Sequence, residues 1–192
     1  MYDSTLEIFF QEAKRNPNFA IMAPYVQEKN DINIKIDSKK STSILINNVK
    51  GFAMFLNISE FKDIGFFDES FFLYFEDIDL CKRLNDNNKK IFLVSNLKIN
   101  HLGAQSSSED ISWERELTRN WHWMWSTFYY HKKHSGFFIS LLQVLPKLIS
   151  AIFKFIIYSV LKKNKKKKIY LMRFLGLVNA IKGKSSWYRP KV

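Results

Sequence analysis

The stretch Phe137–Leu161 constrains this chain more than any other part of it. It is an apolar run interrupted by Gln143, Pro146, Lys147 and Lys154, and it leads straight into Lys162-Lys163-Asn164-Lys165-Lys166-Lys167-Lys168. A helix of about 20 apolar residues can cross a bilayer, but central lysines are expensive in hydrocarbon. The pattern therefore predicts a helix lying in a membrane interface, or a kinked hairpin dipping into it, rather than a full span. A helical subdomain packed on a protein core is the alternative. Clustered lysines beside an apolar segment favour an anionic lipid surface. Lysine runs also neutralise nucleic-acid phosphates, but no recognition motif accompanies this one, so the expected partner is a membrane surface and not nucleic acid.

The rest of the chain supports a folded protein with an appendage. Its 192 residues are 46% hydrophobic and 16% aromatic, which argues against disorder, and its formal charge is +12. One cysteine, Cys81, leaves no intrachain disulfide framework and no thiolate metal cluster, and fits a reducing compartment. Nothing at the N-terminus reads as a secretory signal. Ser4-x-x-Glu7 is a capping box, and Leu6, Phe9, Phe10 and Ala13 keep helical spacing until Asn16-Pro17. Phe19–Tyr25 reads as a buried strand, Ile32, Ile34 and Ile36 as a half-buried one, and Lys39–Ser43 as a polar loop. Ile44–Leu56 reads as extended, with Gly51 permitting a bend or a close backbone approach. Asn57-x-x-Glu60 suggests a short helix, a second helix is expected from about Phe75 to Asn85, and Lys90–Val94 and Leu97–Asn100 read as two short strands. A polar hinge, Gln105–Asp110, divides the chain into a mixed portion, 1–110, and an almost wholly helical one, 111–192. The helical portion opens with Trp113, Trp121, Trp123, Trp125, Tyr129 and Tyr130, residue types that favour membrane interfaces.

Acid is concentrated where the chain is most aromatic. Phe66-Phe67-Asp68-Glu69-Ser70-Phe71-Phe72-Leu73-Tyr74-Phe75-Glu76-Asp77-Ile78-Asp79-Leu80 mixes carboxylates with large rings in a basic protein. Carboxylates leave water only at a cost unless they are paired, metal-bound or kept for chemistry. Asp79 and Arg83, at i and i+4, can form an ordinary helix pair, with Ile78, Cys81 and Leu84 turned to the core. Glu76 and Asp77 are less easily explained as architecture. They follow five apolar and aromatic residues, at the rim of an apolar pocket, where a carboxylate can serve as a general base. His101, alone after a strand, reads as structural unless further metal ligands exist.

Three elements occur in order: Gly51-x-x-Met54; Ile64-Gly65-Phe66-Phe67-Asp68-Glu69-x-Phe71-Phe72-x-Tyr74-Phe75-Glu76-Asp77-Ile78-Asp79-Leu80-Cys81-x-Arg83; and His101-Leu102-Gly103-Ala104-Gln105-Ser106. Together they resemble the family 2 glycosyltransferases, in particular the rhamnosyltransferase-like branch of O-antigen and cell-wall polysaccharide assembly. Arg119-Asn120 and the segment Gly176–Gly183 are similar to that branch as well. The resemblance implies an α/β chain: the C-terminal half of a GT-A fold, followed by a helical, membrane-associating tail. It implies an inverting transfer of a sugar from a nucleotide donor, dTDP-rhamnose being one donor the branch suggests, to a lipid-linked or polysaccharide acceptor. Asp77 would be the base with Glu76 beside it, and Gly51, Asp68, Glu69 and Asp79 would contact substrate. His101 would complete the coordination of Mg2+ or Mn2+ on the donor diphosphate. The implied location is peripheral, on the cytoplasmic face of the inner membrane.

These enzymes carry a nucleotide-binding half with an Asp-x-Asp element ahead of the segments matched here. Residue 1 is expected to fall beyond that element, so the donor half would come from a separately encoded partner or a longer gene. The competing expectation is a non-catalytic remnant that binds lipid or protein at a membrane.

Overall fold

The computed structural model describes residues 4–25, 43–99 and 109–189. The strand expected at Ile32–Ile36, the residue His101 and most of the hinge lie outside them. The described chain is mixed α/β, with a small mixed sheet and five α-helices. It divides into two compact units, Met1–Asp68 with Asp77–Gly103, and Glu69–Glu76 with Ala104–Val192. The boundary thus falls at Gly103, ahead of the hinge, and Glu69–Glu76 sorts with the helices rather than with the mixed portion.

The first unit is built on a sheet in the order β2-β4-β1-β3, comprising β1 (Phe19–Tyr25), β2 (Ser43–Leu45), β3 (Phe55–Leu56) and β4 (Lys90–Lys98). β1 and β4 run parallel at the centre, and β2 and β3 are antiparallel outer strands. A central strand is covered on both faces, which is why β1 is apolar without alternation. On one face Phe19, Met22, Phe92, Val94 and Leu97 meet Phe9 of α1 (Ser4–Arg15). On the other, Ala20, Ile21, Ala23 and Ile91 meet Leu80, Cys81 and Leu84 of α2 (Glu76–Asp86). A register shift between Phe19 and Ile21 puts Ala20 and Ile21 on the same face.

Several expectations change here for physical reasons. β4 is one strand rather than two, and the register break between Val94 and Lys98 is what reads as an interruption. Of the extended stretch 44–56, only the ends pair, and the middle turns through Gly51. Ser43, expected in a loop, opens β2 and donates its hydroxyl to the buried Glu12 of α1 at 2.5 Å, while Arg15 donates to the same carboxylate at 2.6 Å. Ile78 is exposed and Leu80 takes the core position, because Leu80, Cys81 and Leu84 set the helix phase and Ile78 falls two residues off it.

The second unit is formed by α3 (Glu109–Ser135), α4 (Phe137–Val160) and α5 (Asn164–Ile181). Its core joins Trp121, Met124, Trp125 and Phe128 to Val144, Leu177 and Ala180. Trp121 and Trp125, read from sequence as interface-seeking, are therefore core residues, while Trp123 is exposed. α3 and α5 cross closely at Gly176, where an added Cβ would overlap the carbonyl oxygen of Trp121. The obstacle is backbone and cannot rotate away. Gly176→Ala should destabilise the protein by about 1–3 kcal/mol, the usual cost of overpacking; an unchanged thermal midpoint would contradict this crossing.

α4 is the least covered element. Phe138, Leu142, Leu145, Ile149, Phe153, Ile156 and Val160 are all exposed and fall on one stripe at helical spacing, about 33 Å long. Lys147 and Lys154 lie two residues off that stripe, on the opposite side of the helix. Lys154 reaches the Tyr170 ring of α5 at 5.2 Å, so both lysines spare one apolar face, while Pro146, at i+4 from Leu142, borders it.

Candidate functional site

Asp77 and Gly51 are brought together within the first unit. The Gly51 N–H donates to Asp77 Oδ2 at 2.9 Å, and Oδ1 accepts from Ile78 N at 2.8 Å. A Cβ on residue 51 would sit 3.3 Å from Asp77 Cβ, so glycine is the residue that allows this approach. Asp77 is half-buried in the first turn of α2, where the helix dipole favours its charge. One turn of helix thus presents a carboxylate fixed by two backbone N–H groups and still open to solvent.

Asp79, two residues on, has a different environment. It is fully buried, and Arg83 Nε donates to it at 2.8 Å. The Arg83 guanidinium also donates to the carbonyls of Ile64, Gly65 and Phe66, at 2.8, 3.2 and 2.5 Å. Gly65 has φ +75°, a left-handed turn that suits glycine, and Phe66 stacks on Phe61 at 5.0 Å. Asp79 therefore orients the arginine that pins the chain entering Phe66-Phe67-Asp68, and its carboxylate faces Arg83 rather than an open site. Asp68 is half-buried in the same unit.

Glu69 and Glu76 belong to the second unit. Between them Tyr74 and Phe75 both adopt left-handed backbone conformations, φ 68° and 71°. Large side chains avoid this region, at a cost of order 1–3 kcal/mol each, so the surrounding packing must impose it. Ser126 donates to the Leu73 carbonyl at 2.8 Å. Trp123 contacts both rings, Tyr74 at 5.3 Å and Phe75 at 5.4 Å, and Tyr130 contacts Phe75 at 5.2 Å. Helix α3 thereby holds a strained pair directly before Glu76-Asp77. Burial raises the Tyr74 phenol above its ordinary pKa, Arg119 opposes this and the Glu76 charge adds to it.

His122 was not among the candidates drawn from sequence. It is fully buried, lies 4.8 Å from the ring of Phe72, and its Nε2 donates to the Tyr188 carbonyl at 2.7 Å. A carbonyl can only accept, so Nε2 carries a hydrogen. Nδ1 is buried without a hydrogen-bond partner. The signal available in the sequence was a histidine set between Trp121 and Trp123. Burial lowers its pKa below 6.5, the Tyr188 contact opposing and Arg189 assisting. The unfolded chain then binds more protons than the folded one, so stability should fall as pH drops below about 6.5. Thermal midpoints between pH 7.5 and 5.5 should show this decline, and His122→Gln should flatten it; a decline undiminished in His122→Gln would assign it to other groups.

Among the described residues, no three His, Cys, Asp or Glu side chains converge to hold a metal. His101, to which the resemblance assigns the metal, lies outside them. No protein-family model, no curated protein and no solved structure matches this chain.

Proposed function

We propose that this chain carries the acceptor-and-base portion of an inverting glycosyltransferase that works at a membrane surface. The observation that carries the reading is the Asp77 carboxylate, held by the Gly51 N–H, beside an Asp79 that is buried against Arg83. A fixed carboxylate with solvent access is what general-base chemistry requires. Asp77 would take the proton of an acceptor hydroxyl as that oxygen attacks the anomeric carbon. The new carbon–oxygen bond forms as the bond to the nucleotide diphosphate breaks on the opposite face, and the configuration inverts. Glu76 is its neighbour in sequence, and the strained Tyr74-Phe75 pair limits the freedom of the backbone that leads into it.

Membrane attachment rests on the α4 stripe and on the lysines that follow. Lys165–Lys168 occupy the start of α5, where the helix dipole disfavours positive charge. Contacts of Lys165, Lys166 and Lys167 with Trp113, Tyr158 and Phe155, at 5.4–5.9 Å, offset this in part. Such placement is poor for an isolated fold and well suited to an anionic bilayer on which the stripe lies flat. Leu142→Glu with Ile149→Glu, both at exposed positions, should weaken binding to phosphatidylglycerol vesicles at least about a hundredfold, given about 1.5–3 kcal/mol per buried aliphatic side chain. Unaltered binding would remove α4 from the interface.

The function itself is tested on membranes from the cells that make the protein, so that a separately encoded donor half is present, given labelled nucleotide-sugars and a lipid-linked acceptor. Incorporation with inverted anomeric configuration is expected. Retention would overturn the single-displacement role of Asp77, and no incorporation from any donor would leave the membrane- or protein-binding module as the reading.

A further inference from the structure

Beside α4, wholly within the second unit, lies a groove that the chemistry at Asp77 does not use. Two clefts of about 290 and 340 Å³ adjoin through Trp123 and Arg173, which line both. One is walled by α3, α4 and α5, the other by Tyr74 with α3 and α5. Going round α4 from Leu142 and Ile149 on the apolar stripe, at about 100° per residue, Pro146 comes first, then Ser150, then Lys147. All three line the groove. It therefore begins at the edge of the stripe and climbs the flank of the helix.

Its polar end is cationic. Arg119, Lys147 and Arg173 stand against one lining carboxylate, Glu116, and none of the three makes an ion pair with a described residue. Arg173 is nevertheless fixed. Its Nε donates to Asn120 Oδ1 at 2.7 Å, Asn120 in turn donates to the Glu116 carbonyl at 2.8 Å, and the guanidinium lies 5.2 Å over the Tyr170 ring. Its two terminal nitrogens have no acceptor among the described residues. A held guanidinium with both Nη groups free suits a phosphate oxyanion. The rest of the wall is apolar, with Trp123, Met124, Pro146 and Ala151. A soluble anion, ring-bearing or not, would engage the cations and leave that wall in water, whereas an amphiphile engages both. A helix in a membrane interface buries its apolar face about 5–10 Å into the headgroup boundary, which sets its flank at the level of the lipid phosphates. Basic pockets between helices are where lipid headgroups bind.

We propose that this groove binds one anionic diacyl phospholipid, its phosphate held by Arg173, Arg119 and Lys147 and its acyl chains passing Pro146 onto the α4 stripe. The ligand is a lipid of the bilayer, neither donor nor acceptor. The inference rests on the membrane-surface part of the proposed function, and adds a single defined site to an attachment otherwise made by diffuse charge and apolar contact.

Calorimetric titration of the full chain with dihexanoyl phosphatidylglycerol, kept below the concentration at which it forms micelles, tests the site without a bilayer. It should bind about tenfold or more tighter than dihexanoyl phosphatidylcholine and than inorganic phosphate. Arg119→Gln with Lys147→Gln, both at exposed positions, should remove the preference over phosphatidylcholine. Lys132→Gln with Lys184→Gln, an equal loss of charge at exposed lysines that line neither cleft, should leave it intact. Circular dichroism with thermal melting confirms that each variant is folded. No vesicle and no sugar is present, so failed membrane attachment and failed transfer are read separately, from the α4 and Asp77 variants. Equal binding of phosphatidylcholine, or inorganic phosphate bound as tightly as the lipid, overturns the proposal. So does a preference that survives the Arg119 and Lys147 changes, or one lost equally with Lys132 and Lys184, which would assign it to overall charge.

Discussion

Asp77→Asn should lower sugar transfer by about 10²–10⁴-fold while costing only about 1–2 kcal/mol of stability. The substitution keeps the size of the side chain, and an amide oxygen can still accept the Gly51 N–H that Asp77 Oδ2 accepts at 2.9 Å. What it removes is the capacity to take a proton, together with the charge at the start of α2 and the acceptor for Ile78 N; general-base assistance has the stated magnitude in rate, and the other two losses act on stability. A residue that only held the Gly51 turn would show the same modest change in stability with little change in the rate per folded molecule. Transfer measured alongside melting separates the two roles.

Arg83→Met should have the largest effect on stability. An exposed ion pair contributes about 0–1 kcal/mol, but Asp79 is fully buried and Arg83 only 17% exposed. Removing the guanidinium leaves a buried carboxylate without its cation and takes a donor from three consecutive carbonyls. Breaking such a pair costs about 3–5 kcal/mol, a large part of the 5–15 kcal/mol by which a domain is stable. Asp79→Leu with Arg83→Met should recover much of it, because no charge is then left buried. A loss below about 1 kcal/mol in urea unfolding of Arg83→Met would contradict the clamp.

The elements whose signals are local could be read from the sequence. α1 stops at Asn16-Pro17, β1 is a short uniformly apolar run, and α2 begins with acid, so each carries its own period and punctuation. What depends on distant partners could not be read. The phase of α2, with Leu80 inward and Ile78 outward, is set by the sheet it packs on. Trp121 and Trp125 are buried because α5 approaches closely at Gly176, and nothing in their own helix distinguishes them from Trp123. The left-handed Tyr74 and Phe75 carry no sequence mark, since neither is the glycine or asparagine that usually announces that conformation.

The candidate site divides in the same way. The spacing of Asp79 and Arg83 already indicated a pair, though not that it is buried or that Arg83 also ties down the Gly65 turn. Gly51 advertised a close approach, but its partner, 26 residues away, becomes evident only when the chain is folded. Segregation of the α4 lysines from the apolar stripe follows from helical spacing alone, whereas the exposure of that stripe depends on how narrowly Ser140, Val144 and Ala151 dock α4 to its neighbours.

The most direct measurement is the transfer rate per folded molecule of Asp77→Asn, from a nucleotide-sugar to a lipid-linked acceptor, on membranes of the cells that make the protein, with matched protein levels. A catalytic Asp77 predicts incorporation at background from protein that remains folded. Incorporation at the rate of the unaltered protein, or a loss no greater than the fraction unfolded, would show that Asp77 holds a turn and does no chemistry.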